Sequence, residues 1–179
     1  MTHAARLGLL VGALCFAASP ARAQLGELQA GVLGSYGTSE AYGPGAGLAL
    51  GVATGRLAYV GLRWTYHAGA TTAGVTNRVQ TFAVDLGVVI PVRTLDVVPA
   101  VSLGAARFAQ RAAGVRAHKT EFLASAGVSA EVHAARVALI PEVQYSLAGD
   151  PELPFTVKHH GLVASLRLVI TLEVGRIRR

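Results

Sequence analysis

Residues 81–90 read Thr-Phe-Ala-Val-Asp-Leu-Gly-Val-Val-Ile. Phe82, Val84, Leu86, Val88 and Ile90 share one parity; Thr81, Ala83, Asp85, Gly87 and Val89 share the other. A period of two marks an extended strand, because successive side chains point to opposite faces. A sheet with one wet face carries polar and charged residues on that face. Here the second face is small, and its one charge stands alone. Such a strand suits a membrane barrel, with large side chains in lipid and small ones in a narrow lumen.

The same reading extends along the chain. Over residues 161–174, Leu162, Ala164, Leu166, Leu168, Ile170, Leu172 and Val174 alternate with Gly161, Val163, Ser165, Arg167, Val169, Thr171 and Glu173. Residues 120–132 alternate Phe122, Ala124, Ala126, Val128 with Glu121, Ser125, Gly127, Ser129, Glu131. Val60, Leu62, Trp64 and Tyr66 alternate with Tyr59, Gly61, Arg63 and Thr65, and residues 137–147 set Val137, Leu139, Val143 and Tyr145 against Glu142, Gln144 and Ser146. Three weaker segments complete the set: 28–36 and 43–53, diluted by Gly and Ala, and 97–108, which carries Pro99 and reads either way for part of its length. Helical periodicity fits none of these as well, and Gly and β-branched residues are too frequent for helices. The expected fold is all-β: an antiparallel up-and-down transmembrane β-barrel of eight strands.

Connection lengths agree with it. Short turns are expected at 54–56, 91–96 and 133–136. Longer loops are expected at 37–44, 68–78, 109–118 and 148–159. Short turns at one end and longer loops at the other are the pattern of outer-membrane barrels with both termini in the periplasm.

Composition adds a second argument. The chain is 52% hydrophobic and 15% charged with 21 Gly, and its mean hydropathy is +0.46. After residue 23 no run approaches the roughly 20 apolar residues that a membrane helix needs; the most apolar region, 82–106, is broken by Asp85, Pro91, Arg93, Asp96 and Pro99. At the start, Arg6, the apolar stretch Leu7–Ala18 and Ala21-Arg22-Ala23 form a secretory leader with a small-x-small cleavage site. The expected domains are a leader over 1–23 and a barrel over 24–179. Leu14 before Cys15 spoils a lipoprotein signal, so Cys15 is read as part of the leader, and the remaining chain has no cysteine for a disulfide or thiolate metal site. Fourteen of the 16 Lys and Arg lie after residue 23 against ten acids, a net of +4. In an exported chain this charge points to an anionic membrane surface rather than nucleic acid.

On these strands and loop lengths the chain resembles the small eight-stranded barrels of the OmpA and OmpX type. The resemblance covers nearly all of the exported part but carries no diagnostic motif. It implies outer-membrane lipids and the barrel-assembly machinery as partners, and a monomer. The ending Val174-Gly175-Arg176-Ile177-Arg178-Arg179 departs from the aromatic terminal residue usual in such proteins.

The residues open to function fall into two sets. Arg63, Asp85, Glu131, Glu142 and Arg167, with Gln144 beside them, lie on lumen-facing parities. Buried charges persist only when paired, so they are expected to form one network that plugs the lumen; the alternative is a small gated pore for ions or solutes. Arg107, Arg111, Arg116, His118 and Lys119, with Arg78 and Lys158 at similar height, form a basic cluster near the third long loop. Arg78, Arg107, Arg111, Arg116, Lys119 and Lys158 are expected to contact lipopolysaccharide phosphates. Trp64, Tyr66, Tyr36, Tyr42, Phe108 and Tyr145 are candidates for an interfacial aromatic belt. Small barrels that modify lipid A use a Ser–His pair, but His160 and Ser165 lie on opposite faces, and His159 is roughly 20 Å along the strand from Ser165. The histidines read as exposed or interfacial. No catalytic residue, metal or cofactor is assigned.

Overall fold

The computed structural model describes residues 27–54, 58–93, 95–112, 114–134 and 136–173. The expected leader and the tail from Val174 to Arg179 lie outside the described residues. The strands are β1 (Glu27–Gly37), β2 (Pro44–Thr54), β3 (Ala58–His67), β4 (Thr71–Thr72), β5 (Val75–Val88), β6 (Ile90–Val92), β7 (Leu95–Ala112), β8 (Val115–Ala134), β9 (Val137–Ala148) and β10 (His160–Glu173). β4 is a short arm folded back on the start of β5, and β6 continues β5 along β7. The other eight strands pair antiparallel, each with its neighbours in sequence, and β1 pairs with β10 to close the barrel. Closure gives each of these eight strands a partner on both sides within the wall.

Two prolines account for the irregularities in the ladders. β5 and β6 keep one register against β7, from Gly87↔Ala100 to Ile90↔Val97, with a gap between. The gap faces Pro99, which has no N–H to donate. The β8–β9 ladder likewise skips from Ser129↔Glu142 to Val132↔Leu139, and Pro141 lies in the skipped part. Both prolines are tolerated because register, and hence the face of every flanking side chain, is conserved across the gap.

One expected loop is absent. Residues 109–118 continue the strands: β7 runs to Ala112, β8 starts at Val115, and Arg111 stands opposite Arg116. Gly114 at φ 86 supplies the left-handed backbone that a tight hairpin turn demands. Its outward face carries Arg111, Arg116 and His118 and its inward face mixes Gln110 with the small Ala112 and Ala117, so its composition imitates a loop. At 18 and 20 residues, β7 and β8 far exceed the roughly 9–11 that cross a bilayer. The hairpin therefore rises beyond the rest of the wall.

The outer surface is apolar on all eight walls. Val32, Leu50, Leu62, Val84, Leu103, Val128, Val143 and Leu168 all point outward and are exposed. On β10 the band runs from Leu162 to Leu172, about 33 Å of strand and about 25 Å of height after tilt. That is the height of a bilayer's hydrocarbon band. A water-soluble monomer does not leave so large a continuous apolar surface uncovered.

Candidate functional site

The lumen is filled in layers. At mid-height Arg63 on β3 and Asp85 on β5 face Glu142 on β9 and Arg167 on β10. Arg63 donates from Nη2 and Nε to Asp85 Oδ2 at 2.8 and 3.0 Å, and from Nη1 to Glu142 Oε2 at 3.1 Å. The same Glu142 oxygen accepts from Ser165 Oγ at 3.1 Å and lies 3.4 Å from Arg167 Nε. Arg167 Nη1 donates to Tyr59 Oη at 3.3 Å, and its guanidinium stands 5.9 Å from the centre of that ring. Two cations and two anions thus form a neutral quartet across the barrel, each nearly excluded from solvent. Such charges are tolerated only in this paired state. Gly51 and Gly61 make room for Tyr59: a Cβ would come within 2.6 Å of its ring at Gly51 and 2.5 Å of its hydroxyl at Gly61.

Glu131 belongs to a second cluster nearer the turns. It accepts from Gln29 Nε2 at 2.6 Å, and His133 Nε2 lies 3.5 Å from Glu131 and 3.6 Å from Asp96. The six residues expected in one network therefore occupy three places. Four form the quartet, Glu131 stands apart with His133, and Gln144 lines a small cavity on the loop side. That cavity, about 20 Å³, is walled mainly by hydroxyls, among them Ser35, Ser102, Ser125, Ser146 and Ser165. It has room for about one water.

Above the cavity an apolar plug stands in the mouth. Tyr42 turns inward from the connection 38–43 and packs with Val79, Phe108, Leu123, Val157 and Val163. Its ring meets His67 edge-on, 5.4 Å between centres, and His67 Nδ1 donates to the Gly43 carbonyl at 3.1 Å. Burial pushes the Tyr42 phenol above its ordinary pKa. Gln110 holds the connection 149–159 from two sides, donating from Nε2 to the Phe155 carbonyl at 2.7 Å and accepting from the Phe155 N–H at 3.2 Å. The structure departs from the sequence expectation at two aromatic residues and one histidine. Tyr42 and Phe108, expected in the belt, are each 1% exposed and form the plug. His67, expected at the surface, is buried, because it shares the inward parity of Arg63 and Thr65. Tyr36, Trp64 and Tyr145 do face outward, joined by Phe82 and Phe122.

On the outer wall, Arg78 of β5, Arg107 and Arg111 of β7 and Arg116 of β8 share one exposed face with His118. Lys119 has the opposite parity and meets Glu152 at 3.7 Å. Lys158 lies in the connection 149–159. Four of the six expected phosphate contacts are thus assembled and two stand elsewhere.

No protein-family model matches the chain, and no curated protein matches it. Solved structures share its fold. Neisserial surface protein A superposes with a TM-score of 0.64 at 12% identity, over 83% of this chain and 97% of that one. A major outer membrane protein from Thermus thermophilus gives 0.63 at 11% identity, over 82% and 99%. The N-terminal β-barrel domain of Pseudomonas aeruginosa OprF gives 0.57 at 10% identity, over 84% and 100%. These identities speak to fold alone: the chain is a closed, eight-stranded antiparallel barrel of the type found in small outer-membrane proteins.

Proposed function

We propose that the protein is a non-enzymatic outer-membrane barrel with a sealed lumen, serving a structural or surface-interaction role. The leader is removed before Gln24, and both termini lie in the periplasm with the short turns. The observation that carries the sealed lumen is the stack of quartet and apolar plug, which leaves only about 20 Å³ between them. An eight-stranded interior is just wide enough for its own side chains. His67 donates from Nδ1 to the Gly43 carbonyl and meets the Tyr42 ring edge-on, so we read it as part of the plug.

Conductance in planar bilayers tests the seal. The refolded protein is expected to insert, to shift on gels when heated, and to stay silent. Folded Arg63→Ala and Glu142→Ala proteins should stay silent too, because the mouth remains filled. Stable channels whose size changes in these variants would replace this reading with a gated pore.

The membrane location has a separate test. Leu168 faces outward between Val32 and Leu139 at mid-strand. Leu168→Arg should destabilise the barrel folded in lipid vesicles by about 2–4 kcal/mol, the cost of a cation at the bilayer midplane. A barrel standing in water would lose nothing from the same change, so an unaltered urea midpoint would argue against lipid on this face.

A further inference from the structure

Arg78, Arg107, Arg111 and Arg116 sit on three adjacent strands. Register sets Gln80 beside Arg107, Arg78 beside Ala109, Thr76 beside Arg111, and Arg111 opposite Arg116. Like charges directly opposite each other on a sheet repel. None of the ion pairs among the described residues involves these four arginines. Two open grooves, about 280 and 300 Å³, lie between them, and Arg78 and Arg107 line both. Ala109 stands at the centre of the patch, where a longer side chain would fill the space between the guanidiniums.

The patch also has a fixed position relative to the apolar band. The next outward row toward the band holds Tyr66, Gln80, Arg107 and Thr120. The row after it holds Trp64, Phe82, Ala105 and Phe122, with Phe82 54% and Phe122 62% exposed. Four unpaired guanidiniums thus stand directly above the aromatic edge of a lipid-facing surface, on a hairpin that rises past it. A water-soluble polyanion would satisfy the charge and leave the aromatic row uncovered. A lipid with one phosphate would cover that row and leave most of the guanidiniums without a partner.

We propose that this face is a binding site for the phosphorylated glycolipid of the outer leaflet, lipopolysaccharide, with its phosphates among Arg78, Arg107, Arg111 and Arg116 and its acyl chains on Trp64, Phe82 and Phe122. The site rests on the outer-membrane reading above. Guanidinium binds phosphate oxygens in pairs, and the hairpin gives two of the arginines reach toward the sugar region. Lys119 and Lys158 lie outside the site.

The test measures lipid retained by protein refolded with lipopolysaccharide and purified in detergent, with folding checked by heat-shift on gels. Three variants are compared with the wild type: Arg78→Gln/Arg107→Gln, Arg111→Gln/Arg116→Gln, and Lys119→Gln/Lys158→Gln. Each arginine pair should lower retention by about tenfold, while the lysine pair should leave it unchanged. A second arm needs no variant: the wild-type protein should retain dephosphorylated lipid A or phosphatidylglycerol about tenfold less well than intact lipopolysaccharide. Unchanged retention in both arginine variants, or equal retention of the dephosphorylated lipid, would overturn the proposal. Failure of the site leaves the membrane reading to its own test at Leu168, so the two can fail separately.

Discussion

Arg63→Ala is expected to destabilise the folded barrel by about 3–5 kcal/mol, the usual cost of removing one partner from a buried ionic cluster. Arg63 makes three of the hydrogen bonds that join the quartet, two to Asp85 and one to Glu142. Without it, Asp85 keeps no cation, and Glu142 retains only the 3.4 Å contact to Arg167 and the Ser165 hydroxyl. Water cannot easily reach the site from above, because Phe108 and Tyr42 fill the mouth. The loss should appear as a lower urea midpoint for the heat-sensitive folded band in lipid vesicles. A companion variant separates pairing from mere presence of charge. Replacing the whole quartet by Arg63→Met, Asp85→Leu, Glu142→Leu and Arg167→Met should recover most of the lost stability, since well-packed apolar groups replace buried ion pairs at little cost. Recovery will be incomplete, because the Tyr59 and Ser165 hydroxyls lose their partners. If Arg63→Ala matches the wild type, the quartet contributes no more than exposed surface pairs do.

The faces of the strands were legible in the sequence, and their heights were not. Parity alone places Arg63, Asp85, Glu142 and Arg167 in the lumen, because a period of two leaves no third choice once the lipid face is known. Which of them meet depends on strand stagger around the barrel, and stagger is set by all eight registers together. Glu131 shares the lumen parity, yet its register on β8 carries it down to Gln29 and His133. Phe108 departs from its expected face for a different reason. The run Gly104-Ala105-Ala106 gives almost no contrast between faces, so the parity of the segment was lost before reaching Phe108, which alternates with the outward Arg107. Tyr42 lies in a connection, where no periodicity applies. The arginine patch was half legible: proximity in sequence brought Lys119 into the cluster, and strand parity removes it.

Phe108→Ala should release the connection 149–159 and cost about 3–5 kcal/mol, as expected for truncating a buried aromatic ring. Phe108 is 1% exposed, within the same cluster as Tyr42, Val79 and Val157. Its ring supports the apolar side on which Val157 and Leu153 rest, so truncation leaves a cavity beneath that segment. The Gln110 clamp on Phe155, the exposed Lys119–Glu152 pair and the backbone bonds at Gly149 and His159 then hold the connection with less apolar support. Local openings draw on the parts of a structure with the fewest buried contacts, so the connection should open well before the β-wall does. Limited trypsin digestion reads this directly, because Lys158 lies inside the segment. Cleavage after Lys158 should accelerate about tenfold or more in Phe108→Ala. Gln110→Leu should accelerate it less, because the amide contributes hydrogen bonds and not the bulk of the plug. Equal cleavage rates in the wild type and Phe108→Ala would mean that the segment is held from outside the barrel rather than by the plug. Conductance should remain absent in Phe108→Ala even so: the quartet and the apolar contact of Ala138, Ile140 and Val169 are further obstructions, and opening the mouth removes only the outermost of them.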